Sequence, residues 1–226
     1  MRVVPPIRKG SFFRQGSGIN MSGERETDPI RQRLKSDGYA LLKNRAVKEA
    51  LNICSKLGKT IRHDDVWVDP NSRAHINSDC LLDFHTDHSR AKYIAWYCLK
   101  QSSCGGESML LDSYKVLDHL REYEIKSLRK IYLYQHFVFE GDARSWPLLS
   151  DVDGAPQIYY ASWLIDSVDQ RKREIRKLNR LLNLAEKIKI RLTPGDFLVI
   201  DNRRILHGRG EIKGTKDRHL RRFWLA

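Results

Sequence analysis

Apolar residues recur along this chain at two spacings, and the shorter one dominates. Ile188, Ile190 and Leu192 alternate with Lys189 and Arg191, the period-two pattern of a strand with one buried face. Pro194-Gly195 then makes a turn, and residues 197–200 form an unbroken apolar run, as expected of a strand buried on both sides. Residues 91–99, apolar and aromatic except for Lys92, read the same way. Further strands are predicted at 39–42, 108–111, 131–139, 157–160 and 219–224, while 61–84 mixes strand-like pieces with turn residues such as Pro70-Asn71. Helical spacing is rarer. It places Val47, Ala50, Leu51, Cys54 and Leu57 on one face. It also gives residues 168–187 a stripe of Ile175, Leu178, Leu181, Leu182 and Ala185. Shorter helices are predicted over 114–123 and from a cap at Asp28 to about Lys35, ahead of Gly38. Many short strands with few helices point to a mainly β sandwich or barrel with flanking helices, and against repeated strand–helix–strand units.

At 226 residues the chain suits one sizeable core. We expect one domain over 25–226, preceded by a flexible or partly ordered arm at 1–24, where Pro5, Pro6, Gly10, Gly16 and Gly18 interrupt any apolar run and make a poor signal peptide. Nothing approaches 18 consecutive apolar residues, so a soluble, cytoplasmic protein without a membrane span is expected. Cys54, Cys80, Cys98 and Cys104 show no CxxC spacing; Cys54 and Cys98 lie in apolar stretches and read as buried free thiols. The formal charge of +13 is spread along the chain and favours an anionic partner: a nucleic acid, an acidic carrier protein or an anionic small substrate. A basic solvated surface with no partner accounts for it equally well, and no nucleic-acid-binding module is recognisable.

The candidate chemistry begins at Phe84-His85-Thr86-Asp87-His88. In an extended segment residues i and i+2 face the same way, so His85 and Asp87 can offer a nitrogen and an oxygen to one ion. His-x-Asp alone occurs by chance. A distant histidine, His207, follows the apolar run 197–200 and completes a set of two histidines and one carboxylate. Such a set caps one face of iron(II) and leaves positions open, unlike a closed four-ligand zinc site. Arg218 and Arg222 lie four apart near the end of the chain; a guanidinium matches a carboxylate bidentately, although a basic edge or a phosphate contact would use the same residues. His88 could line a pocket or sit at the surface. His219 is expected on the face opposite Arg218, and Glu107 in a turn.

Four ordered segments carry a family resemblance: 84–87, Gly105-Gly106-Glu107-Ser108, 193–209 and 218–222. Together they resemble the taurine dioxygenase and γ-butyrobetaine hydroxylase group of iron/2-oxoglutarate oxygenases over roughly residues 35–226. The resemblance implies a double-stranded β-helix, a jelly roll of the clavaminate synthase-like kind. It implies iron(II) held by His85, Asp87 and His207, 2-oxoglutarate held by Arg218 with Arg222 in support, and Ser108 and, more loosely, Asn77 near the co-substrate. O2 would be the second co-substrate, with release of succinate and CO2. The expected reaction is hydroxylation of an unactivated C–H bond in a small polar or amino-acid-like metabolite, free or carrier-bound. A carboxylate ligand at 87 leaves no place for a halide. Desaturation or ring closure stays open, as do a nucleic-acid-binding role and a jelly roll without catalysis. Tyr134, Gln135, Tyr159 and Tyr160 are candidate substrate residues by their place in the chain. Trp146 and Trp163 could add a stacking or cation-binding wall, although core use of most of these aromatics is the simpler expectation.

Overall fold

The computed structural model describes residues 22–71 and 75–226; most of the expected arm lies outside them. Two antiparallel sheets form the centre. The larger contains β1 (Tyr39–Leu42), β2 (Thr60–Trp67), β4 (Tyr93–Lys100), β7 (Phe197–Asp201) and β9 (His219–Leu225) in the order β1-β7-β4-β9-β2. The smaller contains β3 (Leu82–His85), β5 (Ser108–Asp112), β6 (Ile188–Ile190) and β8 (Ile205–Arg209) in the order β6-β5-β8-β3. Three two-stranded ribbons lie outside them. Among the described residues no helix is long and apolar enough to cross a membrane.

The unbroken apolar strands are explained by burial on both faces. On β4, Ile94, Trp96 and Cys98 point between the sheets, where they meet Leu110, Leu198 and Trp224. Tyr93, Ala95 and Tyr97 point outward under helices α1 (Ser22–Ser36) and α2 (Val47–Leu57), where Ile30, Leu34 and Ile53 cover them. A second core covers the other side of the molecule, with α3 (Arg173–Leu184) packing Ile175, Leu178 and Leu182 against it. Burial pushes the Cys54 thiol up to about 12 and Cys98 up to about 11; all four cysteines are unbridged.

Several predicted elements change shape for local reasons. The first helix starts at Ser22 rather than Asp28, with Pro29 inside it; proline keeps a helical φ and forfeits one hydrogen bond. The buried face of α2 is Ala50, Ile53, Cys54 and Leu57, which leaves Val47 and Leu51 exposed, because the helix turns its 50/53/54/57 ridge onto the sheet. The helix expected over 168–187 divides into Ser167–Gln170, capped by the Asp166 carboxylate on Val168 N–H, and α3. The one expected over 114–123 likewise divides into Ser113–Leu117, capped by Asp112, and Glu122–Leu128. The strand predicted over 131–139 is a strand only at Tyr132–Tyr134. Beyond it the Asp142 carboxylate takes the N–H groups of Val138 and Phe139 and folds that stretch into a loop.

The turn that launches β7 is held by a fully buried carboxylate. Asp196 Oδ2 accepts from Thr193 N–H at 2.7 Å, Thr193 Oγ1 at 2.9 Å and Lys43 Nζ at 2.7 Å. Burial raises its pKa, but Lys43 and Thr193 outweigh burial and hold it below the ordinary 3.8. A depressed carboxylate pKa contributes stability above the ordinary value, and that contribution is lost as pH falls through the folded value. Asp196→Asn is expected to lower the free energy of unfolding at pH 7 by about 1–3 kcal/mol. In urea titrations at a series of pH values, the gap to wild type should close as pH falls below the ordinary carboxylate range.

Candidate metal centre and adjoining cavity

The two halves of the sequence motif meet because β8 pairs with β3: His207 stands directly across from His85 in antiparallel register, and the pairing slips by one residue before Arg209 meets Leu82. Gly208 permits this, since a Cβ there would lie 2.6 Å from the Leu82 carbonyl oxygen. Asp87 follows β3 in a turn clamped from both sides. Thr86 N–H donates to Tyr160 O at 2.8 Å, and Tyr160 N–H returns to Thr86 Oγ1 at 3.0 Å. On the other side Asn202, at the end of β7, accepts from Asp87 N–H at 2.8 Å and donates to the carbonyls of Asp87, His88 and Ala91. His85, Asp87 and His207 each present a ligand atom within 4.8 Å of the others.

The donor set suits a metal ion. His85 Nδ1 lies 2.8 Å from Asp83 O, which makes it the protonated nitrogen and leaves the Nε2 lone pair for a metal. His207 Nε2 lies 3.7 Å from Asp87 Oδ2, while its buried Nδ1 has no partner among the described residues. Trp96 braces its ring edge-on at 5.0 Å. Burial lowers the pKa of both histidines; at His207 the His85 ring and Arg222 push it further, well below the ordinary value. Both rings are therefore neutral and able to ligate at neutral pH.

The two arginines behave differently. Arg218, Leu220 and Arg222 point inward on β9, whereas His219 and Arg221 point outward and share Asp65, the expected alternation. Arg218 is buried, and its Nε donates to Gly106 O at 3.0 Å. No carboxylate lies within ion-pair distance of it among the described residues. Burial, with Arg209 nearby, brings its pKa down to about 10, so it stays charged. It shares a cavity with Ser108, His85 and His207. Arg222 is instead held by Asp64 through two hydrogen bonds (2.9 and 2.8 Å) and points Nη1 at both oxygens of Asp87 (3.1 and 3.2 Å). Burial opposes its charge, and Asp87 and Asp64 more than restore it.

A second cavity of about 550 Å³ opens beside His85 and Asp87, with Tyr159, Trp163 and Trp224 among its walls. Of the substrate residues expected from sequence, Tyr159 lines it. Tyr134 is exposed on the outer ribbon, Gln135 is buried against Ser89 and Ala143 O, and Tyr160 binds Asn179 on α3. These three do not line it. Asn77 also lies off both cavities; its carbonyl takes Asp69 N–H, while its neighbour Ile76 reaches both. Trp146 packs against the α3 core. Glu107 pairs with Arg191. His88 lines the larger cavity, with Nε2 on Asp142 at 3.1 Å.

Residues that the pattern reading passed over are Asn202, Asp64, Arg209 and His136. Asn202 had a signal, a polar residue ending an apolar strand; Asp64 and His136 had none beyond their neighbours. Arg209 is buried and donates to the carbonyls of Ile76, Ser78 and Cys80 at 2.9, 2.6 and 2.7 Å, tying the 76–80 turn to β8. Removing the Asn202 side chain takes the acceptor from Asp87 N–H and the donor from the carbonyls of Asp87 and Ala91, and leaves His88 O with Ala91 N–H alone. Asn202→Ala is expected to cost about 1–3 kcal/mol of stability and to speed amide hydrogen exchange across 87–91 more than elsewhere.

Comparison with known proteins agrees with this geometry. The model of the taurine catabolism dioxygenase TauD, TfdA family matches residues 17–224. A taurine hydroxylase-like protein of Stachybotrys chartarum is 30% identical over 170 residues, 66% of this chain and 43% of its own length. The 3-((Z)-2-isocyanoethenyl)-1H-indole synthase of Fischerella ambigua is 24% identical over 217 residues, 82% of this chain and 78% of its own. The chain spans about half the length of the first curated relatives it matches. Among solved structures, an asparagine oxygenase with Fe(II), 3-hydroxyasparagine and succinate superposes with a TM-score of 0.72 at 18% identity, covering 91% of this chain and 79% of that one. The sheets thus form the jelly roll of that group, and the chain belongs to the taurine catabolism dioxygenase TauD, TfdA family.

Proposed function

We propose that the protein is an iron(II)- and 2-oxoglutarate-dependent dioxygenase that hydroxylates an unactivated C–H bond of a small, amino-acid-like metabolite. The observation that carries this reading is Arg218: a buried cation without an acidic partner among the described residues, in the cavity that also holds His85 and His207. A buried, unpaired charge is costly, and a carboxylate from a bound dicarboxylate would complete it. His85, Asp87 and His207 would hold iron(II), with the neutral rings as nitrogen donors. Iron with 2-oxoglutarate and O2 would supply the oxidising chemistry, with succinate and CO2 as the co-products. The chain's own part is positional. Asn202 and Tyr160 fix the turn that carries Asp87, Arg218 and Ser108 orient the co-substrate, and Arg222 stays near Asp87 under the control of Asp64. The asparagine oxygenase neighbour, solved with a hydroxylated amino acid, supports a hydroxylation outcome.

Desaturation is a second reading. The Fischerella relative, which matches over most of both chains, is named for a product bearing an ethenyl group. A product analysis separates the two, since hydroxylation adds 16 mass units and desaturation removes 2.

Anaerobic titration of the metal-free protein with iron(II) and 2-oxoglutarate should produce the weak visible charge-transfer band of a chelated keto acid. His207→Ala should abolish it, and folded wild-type protein without the band would sink the assignment. Arg218→Ala should weaken 2-oxoglutarate binding by about 30-fold or more while leaving iron(II) binding near wild type.

A further inference from the structure

Resting on the oxygenase reading above, we propose that the larger cavity selects an aromatic substrate of one or two rings that carries no free ammonium group, with Trp163 as the wall its ring stacks on. Trp163 stands on the short turn Ser162–Leu164, directly beyond Ala161, which bridges His85. Its indole remains 50% exposed although it lines the cavity, and its ring contact is with His85, centroids 5.3 Å apart. An indole left with a face in water beside the metal ligands gains from being covered, and a flat ring covers it best. A substrate ring stacked there lies next to His85, which brings the carbon attached to it toward the metal centre. Tyr159 and the aliphatic side chains of Leu82, Val138 and Leu164 complete an apolar enclosure large enough for a bicyclic ring.

The charges on the same walls argue against an ammonium. Among the described residues the carboxylate and guanidinium that line the cavity are Asp87 and Arg222, beside the imidazoles of His85, His88 and His136, and the two already answer one another at 3.1–3.2 Å. An ammonium seeking Asp87 would displace or confront the Arg222 guanidinium. Trp224, which could otherwise hold a cation on its ring, already has Arg62 and Arg222 over it, each 5.1 Å from the centroid. His88 offers no acceptor either, because Nδ1 receives Arg90 N–H at 3.2 Å and Nε2 faces Asp142. An aromatic amino acid whose nitrogen is absent or held in an uncharged group meets these conditions.

The test uses full-length protein loaded anaerobically with iron(II) and 2-oxoglutarate, with three probes: 3-(indol-3-yl)propionate, L-tryptophan and L-lysine. Binding is read from perturbation of the charge-transfer band and from quenching of tryptophan fluorescence. The deaminated indole is expected to bind at least about tenfold more tightly than either amino acid. Trp163→Ala should weaken it about tenfold with the unperturbed band and 2-oxoglutarate affinity unchanged, and Trp163→Phe should stay within about threefold of wild type. Free amino acids binding as tightly as the deaminated probe, an unaffected Trp163→Ala variant, or no binding of any probe would each overturn the proposal while the band itself upholds the oxygenase reading. Absence of the band in the folded wild type instead removes that reading, and this inference with it.

Discussion

The pairing of β8 with β3 is the contact on which the site depends. It sets His207 across from His85 although the two are far apart in sequence, and it tolerates only a residue without a side chain at 208, where the Leu82 carbonyl passes. That pair lies in the smaller sheet, but its neighbours come from the larger one. Asn202 on β7 grips the turn after His85, and Arg218 and Arg222 reach in from β9. The site is thus built across the gap between two sheets, each of which is covered by a core on its outer side. A jelly roll suits this chemistry because strand pairing fixes donor atoms more tightly than loops can.

Electrostatics divides the interior arginines into two kinds. Arg222 is held by Asp64 and Asp87, and the two Nη atoms of Arg209 by three carbonyls, although Arg209 Nε has no partner among the described residues; both act as braces. Arg218 is left with one backbone carbonyl and a cavity, which is the state of a binding group rather than a brace. The difference would be invisible from residue type alone. The overall charge of +13 is correspondingly less diagnostic than it looks, since several of its cations serve internal pairs, such as Arg204 with Asp112 and Arg221 with Asp65.

Part of the wall of the larger cavity lies on β3 and β9, and the rest on loops whose shapes are set by single side chains: Asp142 gathers Val138, Phe139 and His88 in a stretch whose composition predicts a strand, and Arg209 gathers three carbonyls of the 76–80 turn. The shape of this cavity therefore rests in part on loops held to a rigid frame by buried polar groups, each of which is expensive to leave unpaired.

By itself the sequence determined the strands and the chemistry-bearing positions. Unbroken apolar runs such as 91–99 and 197–200 can be stable only between two covering layers, and His-x-Asp with a distant histidine and two arginines four apart specify donor types that need one another. Alternation along 218–222 also placed His219 opposite Arg218, as found. What only the tertiary structure decided was which side chains share a cavity. Tyr134, Gln135 and Tyr160 sit within a few residues of cavity-lining positions yet point to solvent, to Ser89 and to Asn179. Asp64 and Asn202 entered the site through contacts with partners distant in sequence, and of the two tryptophans expected as a wall the fold put Trp163 on the cavity and Trp146 in the core. Strand periodicity fixes the face a residue shows; the direction of a loop side chain is fixed by whichever buried donor or acceptor it satisfies, and that is known only once the chain has folded.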